Sequence, residues 1–344
     1  RPCRIRIRNG GEVLLCDLKK SCPYDPEFDA TPETNDCSYI LALKQALEIV
    51  GKLRPLPDVD LMVSPINQDR FDVDVPIFTR HRPREPRSNY VLLPMEWQLH
   101  SWQMRKHTIA VERVGAENPW EGRTPSLVWR GTNSNCMASC SLKKAAQGEV
   151  SWRSCLESYV CNVTWDASNW QNFQRGRLVF LSQFLEGFDA RWTGTSQEID
   201  PALWQHWEEN DMVGAHMSRN EQVRFRYALN IDGTGSGDRI YWQMMGGSLV
   251  LNVDSPFVSW LVGDVFDSEE SALKPFEHYV PVRYDLSDLA ARLEWLRNHE
   301  DEARRIAERA RRFAKSHLTY DGVLLYLERL VRRYAEEHAE GPWD

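Results

Sequence analysis

Tyr227-Ala228-Leu229-Asn230-Ile231-Asp232-Gly233-Thr234-Gly235-Ser236-Gly237-Asp238-Arg239 runs directly into Ile240-Tyr241-Trp242-Gln243-Met244-Met245. An apolar run feeds a glycine-rich turn and the turn feeds a helix, so strand, loop and helix are predicted in that order. A helix start offers unpaired N–H groups and a partial positive charge, and small residues let a diphosphate approach the backbone. Arg239 adds a fixed cation with bidentate geometry. The stretch therefore reads as a phosphate-binding loop or as a tight turn with no ligand. A dinucleotide site competes, because Asp254 ends the next apolar run near where a ribose-binding acid would sit. The spacing argues against it: Gly233, Gly235 and Gly237 give G-x-G-x-G, not G-x-G-x-x-G, and the loop lies late in the chain. A nucleotide-sugar donor needs the same diphosphate and ribose contacts without the nicotinamide, and fits better.

Outward from this loop, the runs Ser126 to Trp129, Ser248 to Val253 and Tyr279 to Val282 alternate with helical segments. That alternation predicts an α/β domain whose parallel sheet is covered on both faces. Asn298 with Asp301 resembles a capping signal for a helix with Ile306, Ala310 and Phe313 on its apolar face; Val323, Leu327, Leu330 and Tyr334 repeat the pattern. Upstream, Ile40, Leu43, Leu47 and Val50 recur at helical spacing and Gly51 reads as the stop. Short runs at Val59 to Val63, Val75 to Phe78 and Val91 to Leu93 read as strands of another α/β domain. The divisions are then residues 1–37, a Cys-rich arm with little periodicity; 38–122 and 123–316, two α/β domains; and 317–344, a C-terminal helix packing back on the first domain.

A chain of 344 residues has room for two domains. Its 42 Lys and Arg against 50 Asp and Glu give a net charge of −8, which excludes a surface built to neutralise nucleic acid, so any bound phosphate is gripped locally. No run of about 18 apolar residues occurs, so no membrane span is expected. The 8 cysteines fall in two clusters, Cys3, Cys16, Cys22, Cys37 and Cys136, Cys140, Cys155, Cys161, without Cys-x-x-Cys pairs, which favours disulfides over zinc. With the glycosylation acceptor Asn162-Val163-Thr164 they point to the secretory pathway, in the endoplasmic reticulum or Golgi lumen.

The core Asn-Ile-Asp-Gly-x-x-x-Gly-Asp-Arg at 230–239, Gly247-Ser248-Leu249-Val250, and Leu273 to Val282 followed by Asp285-Leu286-Ser287-Asp288-Leu289 resemble glycosyltransferase family 90, the group of the protein O-glucosyltransferase Rumi and the capsule-associated xylosyltransferases. Trp129-Arg130-Gly131-Thr132 is similar to the family's Arg-Gly-Ser element, and Leu56 to Leu61 to the approach to its catalytic strand. The resemblance is dense from 227 to 335 and patchy before 120. It implies a GT-B fold, two Rossmann-like domains facing a cleft, with a UDP-sugar held mainly by the C-terminal one and no metal or other cofactor. It implies that Arg130, Gly131 and Arg239 contact the diphosphate with Gly233, Ser236 and Gly237 in the loop, that Asp232 and Asp254 serve ribose or sugar hydroxyls or else cap turns, and that His278 reaches the cleft or is structural. Asp58-Val59-Asp60 has the form of a metal-binding Asp-x-Asp, but its place on the acceptor side argues against that role.

Inverting transfer needs a carboxylate to take the acceptor's proton. Counted without gaps from Leu56-Pro57-Asp58, the family's Asp falls on Asn67, which is no base; Asp69, two residues on, comes into register with a short insertion. Asp69 is the preferred base with Asn67 beside it, and Asp72, Glu96 and His100 are the substitutes. The loop with Arg80, Arg82, Arg84 and Arg87 reads as a solvated basic loop or a contact for an acidic acceptor. Trp97 and Trp102 resemble the family's aromatic element and floor an acceptor sugar or fill the core. The resulting expectation is transfer of xylose or glucose from a UDP-sugar to a glycan or protein hydroxyl, with a catalytically inactive carbohydrate-binding relative as the alternative.

Overall fold

The computed structural model describes residues 3–15, 36–64, 75–84, 89–134, 163–233, 235–263 and 272–338. Contacts divide the chain into Arg1–Arg82 with Arg87–Lys106 and Ser316–Asp344, and Pro83–Pro86 with His107–Lys315.

The first unit is built on a five-stranded sheet. Strands β1 (Cys3–Arg8) and β2 (Glu12–Leu15) form an antiparallel hairpin, β1 pairs antiparallel with β3 (Val59–Val63), and β4 (Ile77–Thr79) and β5 (Tyr90–Leu92) continue parallel to it. The start of the chain is thus a sheet edge and not an aperiodic arm. Its alternation is short but complete: Ile5 and Ile7 are fully buried, with Arg4, Arg6 and Arg8 between and beside them. Cys3 is disulfide-bonded; the side chains of the other seven cysteines lie outside the described residues.

Helix α1 (Asp36–Leu53) continues past Gly51. That glycine is a packing residue, not a stop, since a Cβ on it would fall 2.5 Å from Gly11 Cα. Asp60 pairs with Arg4 and, at 2.6 Å, with Arg8. Burial alone would raise its carboxyl, but the two guanidiniums outweigh it and hold the group below the usual carboxylate range. Asp60 is therefore occupied within its own sheet, while Asp58 is exposed ahead of β3. The last helix, Tyr320–Glu337, packs on this unit through Phe78 and Tyr334 (rings 4.8 Å apart) and a hydrogen bond from Tyr326 Oη to Leu92 O.

The second unit holds five parallel strands: β6 (Thr124–Gly131), β7 (Phe188–Trp192), β8 (Phe225–Asn230), β9 (Leu249–Val253) and β10 (Val280–Val282), in the order β10-β9-β8-β6-β7. Leu127, Val128, Trp129, Leu249, Val250 and Leu251 are all at 0% exposure, as strands covered on both faces require. Much of the aromatic load is core, because Trp129, Trp165, Trp192 and Trp207 are all fully buried and Trp192 stacks on Trp207 at 4.8 Å. Chain order departs rightward from β6 to β7 and then returns to the other side of β6 for β8. Such a switch point opens a crevice beyond the strands' carboxyl ends, where doubly wound sheets bind ligands.

Helices α2 (Gln174–Ser182) and α3 (Ile240–Gly246) flank that end, and α4 (Leu289–Asn298) follows β10. Asn298 closes α4, so the capping position of the next helix, Glu300–His317, falls one residue later than the sequence pattern suggests.

Candidate donor site at the switch point

Strands β6 and β8 deliver the two sides of the site. β6 ends in Arg130-Gly131 and β8 in Asn230, after which Ile231 and Asp232 enter the glycine loop. Arg239, at the start of α3, donates from Nη1 to the carbonyl of Arg130, so the loop closes back across the switch point. Gly131 makes that approach possible: a Cβ there would lie 2.5 Å from the Trp129 ring and 3.1 Å from Arg239 Nη2. Gly237 is equally constrained, with Asn230 Oδ1 and Ile231 O both 2.8 Å from where its Cβ would be.

The Arg239 guanidinium lies 5.6 Å from the Trp129 ring centroid, and Arg175 from α2 lies at the same 5.6 Å. Arg175 ties the two strand ends together, donating from Nε to Asp232 O (2.7 Å) and from Nη1 to Thr132 O (3.0 Å) and Ser134 Oγ (2.6 Å). Gly233 packs against it, a Cβ there falling 3.0 Å from Arg175 Nη2. Among the described residues no carboxylate lies within ion-pair distance of Arg239. Burial pulls its guanidinium down from the usual arginine value, opposed by the field of Asp238. A half-buried cation whose partners among the described residues are a carbonyl and an aromatic ring retains its capacity for an anionic ligand.

Arg130 is in a different state. Its Nη2 pairs with Asp189 at 2.6 Å and its Nη1 donates to Trp129 O and Asp189 O, so it is turned toward β7 and already neutralised.

Asp232 is buried beneath the loop. Oδ1 accepts from Gly237 N (2.9 Å) and Oδ2 from Ser255 Oγ (2.6 Å). Burial pushes its carboxyl up to about 7, against the lowering effect of these two bonds and of Arg175. Asp254 is also raised by burial; Arg84, whose Nη1 is 3.0 Å from Oδ1, works against that rise. Arg84 thus pairs within the second unit, and its own N–H donates to Pro256 O. A small cleft opens beside the loop, lined by Asp232, Ser236, Gly237, Ser255, Phe257 and the Asn230–Asn252 pair. Asn230 Nδ2 donates to Asn252 Oδ1 at 2.7 Å.

His278 serves its own turn. Its Nδ1 accepts from Lys274 N (3.0 Å), its ring packs on Phe313, and Nε2 lies 3.8 Å from Glu277, so none of its partners belongs to the loop. Trp97 is half-buried and Trp102 is 54% exposed, the only one of the two with a large free face. Glu96 accepts from Ser38 Oγ, and the His100 ring is tilted toward Trp102 at 6.4 Å. Asn67, Asp69, Asp72 and Arg87 lie outside the described residues. Arg175, Ser255, Asn230 and Asn252 escape the sequence reading. The two asparagines carry a usable signal, each a polar residue near the end of an apolar run, and they fall opposite one another in the β8–β9 register.

Comparisons with known proteins converge on one group. The family model for glycosyl transferase family 90 matches residues 24–340. Protein O-glucosyltransferase 2 of Danio rerio is 33% identical over 256 residues, 71% of this chain and 47% of that protein. Human protein O-glucosyltransferase 3 is 32% identical over 119 residues (35% of this chain, 22% of that protein), and human protein O-glucosyltransferase 1 is 26% identical over 167 (42% and 41%). The chain spans about half the length of the first of these relatives. Among solved structures, Anabaena HepE in complex with UDP-glucose aligns over 87% of this chain and 77% of that one, with a TM-score of 0.33 and 10% identity.

Proposed function

The chain belongs to glycosyl transferase family 90, and from that premise we propose that it transfers a sugar from a UDP-sugar to a hydroxyl of a glycan or protein, glucose or xylose being the sugar. The observation that carries this reading is Arg239, a cation without a carboxylate partner among the described residues, held at the crevice of a doubly wound sheet beside a glycine loop. A diphosphate there receives a charge-assisted bond from Arg239 and the positive potential of Arg175 across Trp129. The names of the O-glucosyltransferase relatives favour glucose and a protein acceptor.

As the bond to the sugar breaks, negative charge builds on the leaving diphosphate, and fixed cations stabilise it without reorganisation. This chemistry needs no metal: chelation by EDTA is expected to leave transfer intact, and loss of activity restored by manganese would show that a carboxylate pair holds an ion at the donor site. We read the two α/β units as the halves of a GT-B enzyme working in the secretory lumen, in keeping with the clustered cysteines and the acceptor sequence at Asn162. Among the described residues no helix is long and apolar enough to cross a membrane.

The base is assigned to Asp69, with Asn67 orienting the acceptor hydroxyl. A positioned base contributes about 10² to 10⁴-fold to rate, so Asp69→Asn should lower turnover at least a hundredfold while UDP affinity holds. Near-normal turnover in Asp69→Asn moves the base to Asp72, Glu96 or His100. Wild-type protein that binds UDP-sugars and releases no UDP from any of them would instead favour a carbohydrate-binding relative.

A further inference from the structure

We propose that Ser255 is a positioning residue for the donor: its hydroxyl holds the Asp232 carboxyl, whose other oxygen holds the Gly237 N–H, and this clasp keeps the glycine loop in the shape that presents Arg239. The inference rests on the UDP-sugar reading of the same loop. Its geometry is a continuous chain of hydrogen bonds. Gly237 N donates to Asp232 Oδ1 (2.9 Å), Ser255 Oγ donates to Asp232 Oδ2 (2.6 Å), and Phe257 N donates to Ser255 Oγ (2.9 Å), so both ends of Ser255 are engaged. Ser255 N then donates to Asp254 Oδ1 (3.0 Å), which Arg84 also contacts.

The loop is therefore fastened both to its own strand, where Asn230 Nδ2 donates to Gly237 O (3.2 Å), and to the turn after β9, 23 residues on from Asp232. Within the loop Gly233 N also donates to Gly235 O (3.0 Å); Gly233 and Gly237 lack a Cβ, and a glycine segment without such bonds samples many conformations. The groups facing Asp232 are Arg175 from α2, Asp254 and Ser255 from the turn after β9, Gly237 from the loop, and Tyr284 after β10, whose phenol is raised by burial and by the fields of Asp232 and Asp254. Both carboxyl oxygens of Asp232 are engaged in these hydrogen bonds. An amide in its place keeps an acceptor for Gly237 N–H, and its NH2 donates to Ser255 Oγ once that hydroxyl turns to accept.

Titration calorimetry of the purified chain with UDP tests the clasp. Ser255→Ala should weaken UDP about three- to tenfold, the range of one lost hydrogen bond, while Ser255→Thr, which retains the hydroxyl, restores it to within about twofold. Asp232→Asn should lose at most about threefold and Asp232→Ala about tenfold or more. Donor KM should rise in Ser255→Ala with kcat at saturating donor little changed. Unchanged affinity in Ser255→Ala overturns the proposal, as does an Asp232→Asn variant that loses as much as Asp232→Ala; if Ser255→Ala does not fold, that second pair decides. Hydrogen exchange at the Gly237 amide separates this inference from the donor assignment. Faster exchange in unliganded Ser255→Ala supports the clasp even if wild-type protein binds no UDP, a result that would sink the donor reading alone, and unchanged exchange overturns the clasp whatever the ligand.

Discussion

Two regions at the carboxyl end of one sheet treat their charges in opposite ways. At the outer edge, Arg130 pairs with Asp189, Arg191 pairs with Asp189 and Asp211, and every cation has its acid within 3.1 Å. Across the switch point, Arg239 has a carbonyl and a ring, while Asp232 is buried and accepts from Gly237 N and Ser255 Oγ. Compensated charges hold a structure together; uncompensated ones cost stability and persist where a ligand supplies the missing partner. Arg130 and Arg239 stand in equivalent roles in the motif, yet only Arg239 is electrostatically open.

The largest test of that difference is the pH dependence of folding. Asp232 keeps its proton in the folded chain up to about pH 7, whereas an unfolded aspartate loses it near 3.9. Between those values the folded state binds the extra proton, so stability from this group is fully present below about pH 4 and is lost as pH rises through about 7. The loss is on the order of 4 kcal/mol once the group is ionised in both states. Urea unfolding of wild type and Asp232→Asn should therefore diverge from pH 4 to pH 8, the asparagine chain becoming relatively more stable by about 2 to 4 kcal/mol. A constant difference across that range would mean that burial does not raise the Asp232 carboxyl.

A smaller effect is expected in ligand binding. Arg239→Ala should weaken UDP at least tenfold, from the loss of about 1.5 to 3 kcal/mol in a charge-assisted bond. Arg130→Ala, measured beside it, should change UDP affinity by no more than about threefold, because Asp189 and not the ligand is its partner. Equal losses in the two variants would erase the contrast and show that Arg130 exchanges Asp189 for phosphate when the donor binds.

Legibility in the sequence follows the distance over which each feature is encoded. The strand, glycine loop and helix from 227 to 246 read correctly because neighbouring residues dictate all three, and the periodic apolar faces of the last two helices did likewise. The Cys3–Leu15 hairpin was hidden by its brevity and by arginines at every outward position of its first strand. Gly51 looked like a helix stop because the reason for a glycine, close approach of Gly11, comes from 40 residues away in the chain. Asn298 looked like a cap because a helix ending there and the next beginning at Glu300 leave almost no connecting segment.

The candidate site divides along the same line. Sequence alone determined that a glycine loop with a following arginine exists, since glycine spacing and helix start are local properties. Tertiary structure alone decided which charges are open. Arg239 meets the Arg130 carbonyl 109 residues away, Arg175 reaches Asp232 across 57, and Arg84 reaches Asp254 across 170. Whether a charged side chain is paired depends on which strands lie side by side, and the reversal of strand order between β6 and β8 is what brings these groups to one crevice.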